Sequence, residues 1–63
     1  MEERDLILLE GAITAIDEAA SAVASEVERD RLSEVTLARL STVEADLKRS
    51  RLALEKILQQ EAR

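Results

Sequence analysis

Residues 6–27 read LILLEGAITAIDEAASAVASEV, and this stretch decides the fold. Its apolar residues recur at alternating spacings of three and four, the heptad pattern of a helix with one apolar stripe. A stripe of this kind has to pack against another helix to leave water. We predict that it forms half of a hydrophobic core, whose members are Leu6, Leu9, Ile13, Ile16, Ala20, Val23 and Val27.

A second heptad stripe runs through the C-terminal half of the chain, out of phase with the first. The first pattern, extended past Val27, reaches mostly polar residues, so one continuous helix cannot carry both stripes. The chain is therefore expected to turn between them. The second stripe contains Thr36, Leu40, Val43, Leu47, Ser50, Leu54 and Ile57, and its apolar members Leu40, Val43, Leu47, Leu54 and Ile57 are the other half of the predicted core.

The predicted turn lies at residues 30–33. Ser33 is the best N-cap for the second helix, and Leu32 and Leu37 then have the spacing of a hydrophobic staple. Asp30 is an alternative cap. If the two stripes pair in antiparallel fashion, facing residue numbers add to 63, which places the turn at the same point. The sequence predicts an all-α fold: a single antiparallel hairpin over residues 1–63, with helices at about 3–29 and 34–61.

A further row of small apolar residues lies beside the first stripe on the same helix. It makes the first helix apolar over nearly half its circumference, which is more than one neighbour can cover. We therefore predict a dimer or partner face, with homodimerisation into a four-helix bundle. An antiparallel contact between two copies of the first helix, centred on Ala15, is the expected arrangement. The face consists of Leu8, Ala12, Ala15, Ala19 and Ala22.

Composition excludes several functional classes. The chain has no His, Cys or aromatic residue, which excludes His/Cys zinc sites, disulfides and His-dependent nucleophiles. Residues 1–28 carry eight acids and one base, a net charge of −7, and residues 29–63 carry +2. The acidic half should repel nucleic acid and anionic membranes. An acidic start, unlike a signal peptide, and a longest apolar run of only residues 6–9 favour a cytoplasmic protein without a membrane segment.

In length, central turn and heptad layers the chain resembles the Rop family of plasmid regulators, and its segment RSRLA at residues 49–53 is loosely similar to part of that family's second helix. The resemblance implies a dimeric hairpin. Rop proteins bind RNA through basic and amide residues and a Phe on the first helix. The RNA function does not carry over, because the outer face of this first helix consists of Glu10, Thr14, Asp17, Ser21 and Glu28.

No residue set predicts catalysis, a cofactor or a metal site. The acids of the first helix point outward, and the bases of the second are interleaved with acids. The expected function is therefore non-enzymatic and acts through protein–protein contact, as a homodimeric four-helix-bundle scaffold or regulator. One alternative is a small chaperone or subunit whose apolar helix face binds a different protein. A Rop-like nucleic-acid-binding bundle is the other.

Overall fold

Two long helices packed against each other make up the described structure, a computed structural model that covers residues 2–61. Helix α1 spans Glu3–Arg29 and helix α2 spans Glu34–Glu61, with principal extents of 45 × 14 × 11 Å. The all-α hairpin expected from the phase break is confirmed. Neither of these two helices is long and apolar enough to cross a bilayer.

Asp30 ends α1 in a left-handed backbone conformation, with φ of 53° and ψ of 41°. Its backbone N–H donates to the carbonyl oxygen of Val27 at 3.2 Å, which closes the last turn of the helix. Asp and Asn tolerate this conformation better than other residues with a β-carbon. The chain therefore reverses direction here without a glycine.

Ser33 caps the N-terminus of α2. Its Oγ accepts a hydrogen bond from the backbone N–H of Thr36 at 3.3 Å, and its carbonyl accepts one from the N–H of Leu37 at 2.9 Å. Ser33 Oγ also donates to Thr36 Oγ1 at 3.0 Å. The predicted N-cap is confirmed, and Asp30, the alternative cap, terminates α1 instead.

We expect Ser33→Ala to lower the free energy of unfolding by about 0.5–2 kcal/mol, because the N–H of Thr36 loses its side-chain acceptor. Thermal unfolding at fixed protein concentration measures the loss. The matched control is Ser25→Ala, at an exposed site within α1. Equal melting temperatures for the two variants would show that the cap does not stabilise the fold.

The contact between the helices uses the whole predicted stripe of α1. Ala20 is buried, with 8% of its surface exposed, and the other six members are half-buried. On α2 the half-buried residues share the side that faces α1. They are Leu37, Leu40, Glu44, Leu47, Arg51, Leu54, Glu55 and Leu58.

Helix α2 is rotated relative to the predicted stripe. Leu40, Leu47 and Leu54 lie in the contact as expected, but Val43 and Ile57 are 43% and 42% exposed. The rotation brings Leu37 and Leu58 inward in place of Thr36 and Ile57. It also turns Arg51 toward α1, where it meets an acid.

Candidate interaction surface

One side of the hairpin is held by charged residues from both helices. Nη1 of Arg51 donates to Oδ1 of Asp17 at 2.9 Å, a contact across the helix pair. Within α2, Nζ of Lys48 lies 3.0 Å from a carboxylate oxygen of Glu44. A shallow groove connects these groups. We call this the polar side; the groove is lined by Asp17, Ala20, Ser21, Ala24, Glu44, Lys48 and Arg51.

Arg51 occupies a position in the contact that a heptad pattern would give to an apolar residue. The hydrogen bond that Arg51 donates to Asp17, together with the negative charge of that carboxylate, raises the pKa of the Arg51 guanidinium above its usual value. A cation with a raised pKa contributes its stabilisation until the pH rises through that pKa, so Arg51 remains charged at neutral pH. Its Nε is buried without a hydrogen bond and lies 3.6 Å from Oε1 of Glu55.

The opposite side of the hairpin follows from the same geometry. At 100° per residue, Ala19 lies about 200° from Asp17 around α1, and Val43 lies about 140° from Lys48 around α2. Because Asp17 and Lys48 line one groove, Ala19 and Val43 share the other side of the helix pair. We call this the apolar side; it consists of Leu8, Ala12, Ala15, Ala19 and Ala22 on α1, and Val43, Ser50 and Ile57 on α2.

The apolar side is open to solvent in the single chain. Leu8 is 64% exposed, Ala12 is half-buried, and Ala15, Ala19 and Ala22 are exposed. The structure thus places the predicted partner face on the surface, where a neighbouring helix can reach it. It also adds Val43 and Ile57, which makes the apolar side two helices wide.

The exposure of Val43 and Ile57 is related to a second pattern in the sequence of α2. Glu44 and Arg51 stand in phase with Leu37 and Leu58, and this row competes with the one that contains Val43. A pattern search treats Arg and Glu as surface residues, although their aliphatic stems can cover apolar neighbours. With the second row facing α1, Arg51 pairs with Asp17 across the helices.

The remaining charged residues of α2 show no concentrated basic patch. Nη1 of Arg49 lies 3.1 Å from Oδ1 of Asp46, so this base is also partnered by an acid of its own helix. Among the described residues, no group of three or more acids is close enough to hold a metal ion. The apolar side is therefore the candidate binding surface of the described hairpin.

The two helices contribute different kinds of side chain to the apolar side. The α1 row gives small side chains that allow a close approach of helices, and α2 adds two branched side chains beside them.

Comparison of the chain with protein-family models, with curated proteins and with solved structures finds no match in any of the three.

Proposed function

We propose that this protein is a non-enzymatic interaction module, and that its apolar side binds a second copy to form a four-helix bundle that serves as a scaffold or regulator. The observation that carries the proposal is the asymmetry of the hairpin. One side pairs its charges across the helices, and the other exposes apolar residues from both helices. Contiguous exposed apolar surface on a small protein is typical of a binding interface.

The exposed area supports an additional partner. The chain exposes 5018 Å² at a mass of 7.0 kDa, whereas a compact monomer of that mass exposes about 4,000 Å². One face of the hairpin measures 45 by 14 Å, or about 630 Å². Covering it on two copies would bury about 1,260 Å², which lies at the lower end of stable protein interfaces, about 1,200–2,000 Å².

The small core argues in the same direction. Of the described residues, only Ala20 falls in the buried class, and no large side chain is fully covered. A hairpin of this size has little apolar burial to offset the chain entropy lost on folding. A second hairpin on the apolar side would supply the missing cover.

Sedimentation equilibrium over the micromolar range tests the proposal, with Ala15→Leu as the first variant. We expect the parent chain to be a dimer. We expect Ala15→Leu to weaken it, because added methylene groups in a close helix contact cost roughly 1–3 kcal/mol per site. A two-fold interface presents the change twice.

The control for this variant is Ala45→Leu, the same change at an exposed residue of α2 away from the apolar side. It should leave the dimer intact. If both variants remain unchanged dimers, the copies pair through another face. A monomeric parent chain would contradict homodimerisation and favour the apolar side as a seat for a helix of a different protein.

A further inference from the structure

From the charges that border the apolar side, we infer how the two copies are arranged: α1 of each copy lies against α2 of the other, and the two-fold axis runs along the hairpin. This inference rests on the proposed homodimer. A two-fold axis in the plane of the interface has two orientations relative to the helices. An axis along the helices stacks α1 on α2, and an axis across them stacks α1 on α1 and α2 on α2.

The levels of residues along the hairpin follow from the helix bounds. Helix α1 ends at Arg29 and α2 begins at Glu34, and each rises about 1.5 Å per residue. A residue of α1 is therefore level with the α2 residue for which the two residue numbers add to 63. An axis along the helices keeps these levels in the partner, whereas an axis across them reverses each helix about its own midpoint.

Charged residues border the apolar side on both helices. On α1, Asp5 and Glu26 continue the line of Ala12 and Ala19, seven residues before the first and seven after the second. On α2, Arg39 lies one turn before Val43. All three are exposed in the single chain.

Stacking α1 on α2 brings opposite charges together. Glu26 comes within two residues of the level of the partner's Arg39, about 3 Å along the axis. The two-fold axis makes this pair twice in the dimer. The net charges of the two halves of the chain favour the same stacking, because residues 1–28 carry −7 and residues 29–63 carry +2. Complementary charges of this kind fix the orientation of an interface.

Stacking each helix on its own copy brings like charges together at the same places. Reversal of α1 about its midpoint puts Glu26 beside the partner's Asp5. Arg4 would meet an acid in that arrangement, but the two α1 helices as wholes repel each other.

Side-chain size favours the same choice. With α1 on α2, Val43 lies within one residue of the level of the partner's Ala19, so a branched side chain packs over a small one. Both helix contacts of the dimer then have the same mixture of sizes. With like helices stacked, one contact would be lined by alanines and the other by Val43 and Ile57, which require different interaxial distances.

A subunit-exchange experiment with two charge-reversal variants tests the arrangement. Arg39→Glu and Glu26→Arg are purified separately, mixed in equal amounts at low salt, and the homodimers and heterodimers are counted by native mass spectrometry. With α1 on α2, each variant alone meets like charges at both contacts, and the mixed dimer meets opposite charges at both. Each chain is the same in either dimer, so changes within a chain, such as the Glu26–Arg29 pair at 3.4 Å, cancel.

We expect heterodimers to exceed their statistical share of one half and to reach roughly four-fifths, because each exposed ion pair contributes only a small stabilisation. Added salt should return the fraction toward one half. A mixture that stays at one half in low salt would overturn the arrangement while leaving the homodimer intact. Chains that sediment as monomers, the parent included, would instead contradict the proposed function and this inference together.

Circular dichroism of each separate variant checks that the helices form before the two chains are mixed.

Discussion

Leu47→Ala should be among the most destabilising single changes in this chain, lowering the free energy of unfolding by about 2–5 kcal/mol. Leu47 is half-buried at the middle of α2, in the contact with α1, where truncation removes apolar packing between the two helices. Total stabilities of small domains are only about 5–15 kcal/mol. We therefore expect a large drop in the melting temperature at fixed protein concentration.

The control is a leucine of the same helix that lies outside the contact. Leu52 is 56% exposed, so Leu52→Ala should change stability by less than about 0.5 kcal/mol. Equal melting temperatures for Leu47→Ala and the parent would contradict the helix contact. A large loss at Leu52 would place that residue in an interface between copies.

The hairpin itself could be predicted because several local signals agree. The change of heptad phase after Val27 requires a break in the helix, and Ser33 stands where an N-cap is needed. The turn also contains Asp30, whose backbone takes up the left-handed conformation that ends α1. Capping, phase and antiparallel register are separate physical requirements, and their agreement at one place specifies the fold.

The rotation of α2 could not be predicted from the apolar pattern, because two rows overlap in Leu40, Leu47 and Leu54. One row is completed by Val43 and Ile57, and the other by Leu37, Leu58 and two charged residues. Apolar counting does not separate them. The row that faces α1 is distinguished by a tertiary contact, the Asp17–Arg51 pair, whose partners are 34 residues apart in sequence.

The same limit applied to the candidate surface. The α1 half of the apolar side was evident in the sequence, since five apolar residues follow one spacing pattern beside the core stripe. The α2 half was assigned to the core, and its exposure follows from the rotation. In the proposed homodimer the borders of this surface matter as much as its centre, because charges at Asp5, Glu26 and Arg39 would set the orientation of the two copies.

The other large effect is expected from a carboxylate placed at the middle of the apolar side. Ala19→Glu should dissociate the homodimer, because the new charge would be buried against the partner twice in each dimer without a cation beside it. In the single chain Ala19 is exposed, so the charge can remain in water and the hairpin contact is not altered directly. Sedimentation should show monomers at concentrations where the parent is dimeric.

Ser21→Glu is the matched control, because it adds the same charge to the same helix only two residues away. Ser21 lines the groove of the polar side, where Lys48 and Arg51 lie on α2. A carboxylate there stays in contact with water and near two cations, so the dimer should persist. If Ser21→Glu dissociated the dimer and Ala19→Glu did not, the partner would occupy the polar side, and the assignment of the two sides would be reversed. If both variants dissociated it equally, the added negative charge of α1 would be the cause, and the burial of Ala19 would not be required.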